Sequence, residues 1–217
     1  MEEQLLDAVR RGDTAEVARL LTSAPSLVTA RMGNVPAILL ALYHGHEDVA
    51  RAFVAHGATL SLHEAAALGD AERVAQLLDA DPPALDRRSD DGFPPLGLAI
   101  FFRRPHVAKL LIERGADVSM PSANAQHVAP LHAAAAVCDC DTARLLLARG
   151  ADPNARQQND FTPLHGAASR GDLEFAKLLV AHGADRNART ADGKSVADVA
   201  RERAQPAFAE WIETIAS

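Results

Sequence analysis

A recurring spacing of about 33 residues constrains this chain more than any other feature of its 217 residues. The pattern Leu-His-x-Ala-Ala-x-x-Gly stands in full at Leu62, His63, Ala65, Ala66 and Gly69, and related stretches begin at Leu5, Ile38, Leu96, Leu131, Leu164 and Ala197. Successive starts lie 33, 24, 34, 35, 33 and 33 residues apart. A fixed period of that size marks a repeat architecture, in which no unit buries its apolar face alone and each must stack on its neighbours.

Every unit repeats the same inner logic. Its first segment has small residues at the centre, as at Ala65/Ala66, Ala134/Ala135 and Ala167/Ala168, which let neighbouring helices approach closely. A glycine then breaks the helix at Gly12, Gly45, Gly69 and Gly171. The second segment carries apolar residues at i, i+3 and i+4, as in Val17/Leu20/Leu21, Val74/Leu77/Leu78, Val107/Leu110/Leu111 and Phe175/Leu178/Leu179. That stripe belongs to a helix, whereas a strand would alternate. Gly57, Gly115, Gly150 and Gly183 follow, where a left-handed C-cap is wanted, and turn formers such as Asp90-Asp91-Gly92 and Ala191-Asp192-Gly193 come next. Each unit therefore reads as helix, turn, helix and a protruding hairpin-like loop.

With these landmarks in register, the chain resembles an ankyrin-repeat protein. The resemblance is carried by Thr162-Pro163-Leu164-His165-Gly166-Ala167-Ala168 with Gly183-Ala184-Asp185, by Pro130-Leu131-His132 with Gly150-Ala151-Asp152, and by Asp91-Gly92-Phe93-Pro94-Pro95-Leu96 with Gly115-Ala116-Asp117. It implies an all-α solenoid of stacked helix-turn-helix units with protruding hairpin loops, one domain over 1–217. The units run approximately 1–30 (an N-cap), 31–58, 59–87, 88–120, 121–155, 156–188 and 189–217 (a C-cap), the last anchored by Phe208 and Trp211. It also implies a non-catalytic module that binds another protein, with a scaffold role. The histidines of the Leu-His positions, His63, His132 and His165, would tie helix starts to hairpins.

Departures from the pattern carry expectations of their own. The 24-residue interval means that the hairpin between the second and third units lacks about nine residues, leaving a gap or a bend in the edge. The first and third units end in Ala24-Pro25 and Asp81-Pro82-Pro83, so their helices stop differently. Arg103 and Cys138 stand where a glycine is usual, which strains or reshapes those two turns.

In the family, the two residues before the helix-breaking glycine point into a concave groove, together with the hairpin tips. Carried over by position, the rungs are Arg10/Arg11, Tyr43/His44, Ala67/Leu68, Phe101/Phe102, Ala136/Val137, Ser169/Arg170 and Glu202/Arg203. The partner-binding candidates among them are Tyr43, His44, Leu68, Phe101, Phe102, Val137 and Arg170. The hairpin candidates are Asp90, Asp91, Phe93, Gln126, Asn159, Phe161, Asp192 and Lys194. Apolar side chains in an open trough ask for a cover, and burying one Phe contributes roughly 1.5–3 kcal/mol. Phe101 and Phe102 have a second fate open to them: folding inward beside the Arg103 turn or over the missing hairpin. Tyr43 is open in the same way, since Gly45 sits one residue late in its unit.

Composition closes off other classes. A net charge of −7 with scattered arginine pairs gives no positive face for nucleic acid. The longest apolar run, Val35 to Tyr43, is well short of the ~18 residues of a membrane span, and the acidic start is no signal peptide, so a cytoplasmic protein is expected. Cys138 and Cys140, with His132 nearby, are the one cluster with soft-metal or redox character. One-residue spacing suits neither a bridge nor a zinc site, so no cofactor or metal is expected. Gly193-Lys194-Ser195 resembles the end of a phosphate loop but lacks the earlier glycine, since position 188 is Ala188. No nucleophile elbow or dinucleotide fingerprint occurs. The expected state is a monomer, with a homodimer through the aromatic groove as the alternative.

Overall fold

The computed structural model describes residues 1–216, of which seven helix pairs form the stack. The pairs are α1 (Glu2–Arg11) with α2 (Thr14–Ser23), α3 (Ala37–Tyr43) with α4 (Glu47–Ala55), and α5 (Leu62–Leu68) with α6 (Ala71–Ala80). Next come α7 (Pro95–Phe101) with α8 (Pro105–Glu113), and α9 (Pro130–Val137) with α10 (Cys140–Ala148). The last are α11 (Pro163–Arg170) with α12 (Leu173–Ala181), and α13 (Val196–Glu202) with α14 (Pro206–Ala216). Odd-numbered helices pack against odd-numbered ones along one layer, and α2, α4, α6, α8, α10 and α12 follow in a second. The architecture is all-α, with, among the described residues, a single two-stranded ribbon, β1 (Arg31–Met32) against β2 (Val35–Pro36), in the hairpin of the second pair.

Inner helices are rich in alanine because little else fits between them. Ala65, Ala66, Ala134, Ala167 and Ala168 have no exposed surface, and Leu5, Leu96, Leu131 and Leu164 wedge beside them. Larger side chains fill the outer layer, where Phe53, Phe175 and Phe208 are fully enclosed. One apolar cluster runs unbroken from Leu5 to Ile212, so each pair borrows its core from its neighbours. Trp211 stacks edge-on to Phe208 at 5.5 Å and stays half-buried at the end of that cluster.

The turn within each pair is left-handed at one residue. Glycine fills it at Gly12, Gly45, Gly69 and Gly171, but Arg103, Cys138 and Ala204 adopt the same conformation at φ 56°. The turn is thus kept, and the cost of a Cβ in that region is accepted at three positions. Glycine is needed for a second reason at Gly12, where a Cβ would lie 2.6 Å from the His46 ring of the next pair. A different ending follows α2 and α6. Pro25 and Pro82 stop the helix and start a short 3-10 turn, over Pro25–Thr29 and Pro82–Asp86.

Hairpins are tied to helices and to each other. His63 Nε2 meets the Arg87 carbonyl at 2.7 Å, and His132 Nε2 meets that of Phe161 at 2.9 Å. His165 instead accepts from the Thr162 backbone N–H through Nδ1, closing the first turn of its own helix. Backbone rungs then join successive loops: Ala123 N–H to Gly92 O at 2.8 Å, Gln158 to Gln126 at 3.0 Å, and Ala191 to Asn159 at 2.9 Å. No such rung is possible at α5, because α4 leads to α5 through Gly57-Ala58-Thr59-Leu60-Ser61 without a hairpin. The expected gap is closed by side chains instead. Arg31 pairs with Asp90 at 2.6 Å and the Tyr43 hydroxyl donates to Asp91 at 2.8 Å, joining the second pair to the fourth. Arg104 makes a third tie, donating to Ala67 O at 2.9 Å and to Glu47 at 2.6 Å.

Two outcomes follow for stability. Arg103→Gly and Cys138→Gly each relieve a left-handed side chain at the expense of unfolded-state freedom, for a net gain of about 0.5–1 kcal/mol in urea unfolding. The second concerns pH. Burial holds the His132 imidazole down at about 4, against an ordinary value of 6.5, and lowers His63 and His165 as well. The unfolded chain therefore binds more protons between those two values, and stability falls as pH drops from about 6.5 toward 4. His132 alone accounts for on the order of 3 kcal/mol. His132→Gln should flatten that slope when unfolding midpoints are compared across the window.

Candidate functional site

Between the C-terminal ends of the inner helices and the bases of the hairpins lies a concavity of about 890 Å³. It reaches from the second pair to the seventh, and it gathers seven of the expected residues: Tyr43, Phe93, Phe101, Gln126, Asn159, Phe161 and Arg170. Helix α7 delivers Phe101 as its last residue, 46% exposed. A large apolar ring left half in water on an otherwise well-covered core is the most unusual side chain on this surface.

Phe101 does not stand alone. Its ring is edge-on to Phe102 at 5.1 Å and 6.2 Å from Tyr43, while Tyr43 and Phe102 lie 5.3 Å apart. Three rings from two non-consecutive pairs thus meet where the hairpin between them is missing. The two fates open to these aromatics divide within the trio. Phe102 packs inward against the core and Phe101 faces the trough. Tyr43 does both, lining the trough with one face while burial and the Asp91 carboxylate drive its phenol pKa strongly upward. It therefore acts as a neutral donor.

Two expected groove residues are corrected. Leu68 is only 5% exposed and Val137 only 8%. Both precede the left-handed residue directly, as Phe102 does, and at that position an apolar side chain turns under its own helix into the core. The residue one place earlier lines the trough at Tyr43, Phe101, Ala136 and Ser169, but not at Ala67, which is fully buried. Only long polar side chains at the later position, Arg170 and Arg203, reach the concavity.

The remaining candidates have other engagements. His44 is exposed and stacks on His46 at 6.3 Å. Asp90 and Asp91 belong to the ties across the gap, and Ser89 also donates to Asp91. In the last hairpin Lys194 pairs with Asp192 at 3.3 Å and Glu202 at 2.9 Å. Gly193 simply turns that hairpin at φ 83°. Sequence reasoning passed over Gln157 and Gln158, which line the trough beside Asn159. Their signal was adjacency to a hairpin tip in which Asn159 and Asp160 are both left-handed.

The sulfur cluster has little nucleophilic character. Burial and the nearby Asp172 raise the Cys138 pKa, and burial with Asp172 and Glu174 pushes Cys140 up to about 11. Both are neutral thiols at pH 7, whereas metal binding and redox attack need thiolate. His132 is committed to Phe161, and among the described residues no three His, Cys, Asp or Glu side chains are grouped to hold a metal ion. Among the same residues no helix is long and apolar enough to cross a membrane.

Comparison with known families agrees with this geometry. A family model described as "Ankyrin repeats (3 copies)" matches residues 62–157, and one described as "Ankyrin repeats (many copies)" matches 146–200. The matches begin at α5, and the two helix pairs before it join the same stack by the contacts given above. No curated protein matches the chain. Together the repeat matches span well over half of the chain, and with the stacked helix pairs they place it in the ankyrin-repeat family.

Proposed function

We propose that this chain is a non-catalytic module whose seven helix pairs act as one domain and bind a partner protein across the concave face. Ankyrin repeats are in general protein–protein interaction modules. The observation that carries the reading for this chain is Phe101. Its ring is 46% exposed at the edge of an 890 Å³ trough that Tyr43, Phe93 and Phe161 also line. Aromatic anchors around a concavity, ringed by the amides of Gln126, Gln157, Gln158 and Asn159, match the make-up of binding hot spots. Amides serve such a site well, because they donate and accept without the desolvation cost of a charge.

The neighbouring ring provides the control. Phe101→Asp should abolish capture of the partner from native lysate and leave the thermal midpoint almost unchanged. Phe102→Ala, by contrast, removes packing and should cost roughly 2 kcal/mol or more of stability. The reading fails if Phe101→Asp captures the same partner as well as the parent chain does. A second copy of the chain as the partner would show as concentration-dependent sedimentation lost in Phe101→Asp.

A further inference from the structure

The arginines of this chain are almost all occupied. Some sit in ion pairs, such as Arg31 with Asp90, Arg114 with Asp79 and Arg144 with Glu174, and others donate to backbone carbonyls, as Arg88 does to Pro121 and Arg149 to Ile112. Among the described residues Arg103, Arg170 and Arg203 have neither a carboxylate nor a hydrogen-bond acceptor. All three sit at the C-terminal end of an inner helix, Arg170 as the last residue of α11 and Arg103 and Arg203 just beyond α7 and α13. Two of them, Arg170 and Arg203, are among the described residues the only charged side chains lining the concavity, in a protein of net charge −7.

Their freedom is not forced by a lack of acids. Glu202, beside Arg203, is taken by Lys194 at 2.9 Å, and Asp172, two residues after Arg170, caps α12 through the Phe175 N–H at 3.0 Å. Arg170, in the last turn of α11, and Arg203, at the C-terminal cap of α13, also complement the negative ends of their helices, but that role leaves their guanidinium hydrogen-bond donors free. Arg10 and Arg11 hold the same place at the end of α1, where both are in addition paired with Asp7. The trough therefore has an aromatic end at Tyr43, Phe93 and Phe101 and a cationic end at Arg170 and Arg203.

We infer that the occupant of this trough is an extended acidic peptide segment of the partner, with an aromatic or aliphatic residue seated against Phe101 and carboxylates received by Arg170 and Arg203. The inference rests on the reading that this face binds a protein, and it specifies the partner's chemistry. Neighbouring helices lie 8–10 Å apart, so the two and three steps from α7 to α11 and α13 span about 20 and 30 Å. An extended chain rises about 3.3 Å per residue, which places the acids about six and nine residues from the apolar anchor. Guanidinium groups without intramolecular partners give up water and no existing ion pair on receiving a carboxylate, and their fork geometry favours bidentate contact.

The test is selection of a phage-displayed random peptide library, long enough for that span, against the full chain. The enriched peptides are then measured by fluorescence anisotropy. They should be net negative, with Asp or Glu at the stated distance from an apolar residue. Arg170→Glu/Arg203→Glu should weaken them by about tenfold or more, and raising the ionic strength should weaken the parent complex. Lys177→Glu reverses a cation on α12, outside the trough, and should leave binding within about twofold, as expected of a distant exposed charge. Neutral or basic peptides that are lost in Phe101→Asp would overturn the acidic partner and leave the binding face standing. Should no peptide respond to either variant, both readings fall. Vesicles containing phosphatidylserine, or self-association, lost in the double reversal would also overturn the inference, in favour of a lipid surface or a second copy.

Discussion

Close approach of alanine-rich helices is the constraint on which this structure depends. A helix of seven or eight residues is too short to be stable alone, so its free energy must come from what it packs against. Small side chains at Ala65/Ala66, Ala134/Ala135 and Ala167/Ala168 let α5, α9 and α11 each lie between two other inner helices, and the leucines beside them then leave water almost completely. The left-handed turn serves that contact. It folds the outer helix back at a fixed angle, and strain at Arg103, Cys138 and Ala204 is tolerated because losing the turn would lose an interface.

The short interval before α5 shows how such a stack absorbs an irregularity. Backbone rungs cannot cross a place without a hairpin. Arg31, Tyr43 and Arg104 span it by reaching past the third pair, and each finds a carboxylate on the far side. Because the third pair brings no loop of its own, Tyr43 and Phe102 come within 5.3 Å, and Phe101 is left at the edge of the trough. The short interval and the exposed aromatic ring thus coincide in one place. The proposed binding face lies beside the place where the repeat is least regular.

Much of this was legible beforehand. The helix pairs, the glycine landmarks and the proline-stopped helices follow from local pattern, because each depends on a few adjacent residues, whereas the ties of His63 and His132, which reach 24 and 29 residues along the chain, followed from the family resemblance. The groove was legible only in part. Family position named both residues of each rung, but burial divides them: Phe101 outward and Phe102 inward, Ala136 outward and Val137 inward. Neighbouring residues on a helix differ by about 100° in direction, so a one-residue ambiguity of frame exchanges groove for core. Leu68 and Val137 fell on the wrong side of it. Gln157 and Gln158 were missed because nothing in a sequence shows which flank of a hairpin faces inward.

Sequence by itself determined the repeat, and with it the all-α stack, because a 33-residue period of helix, turn and helix admits no other way to bury its apolar stripes. Tertiary structure alone decided which charges are spent and which are free. Arg11 and Arg170 occupy corresponding positions, each just before the left-handed glycine, yet Asp7 engages the one and no carboxylate engages the other. Pairing depends on distances of a few ångströms between side chains from different turns, pairs and loops, and those distances exist only once the stack has formed.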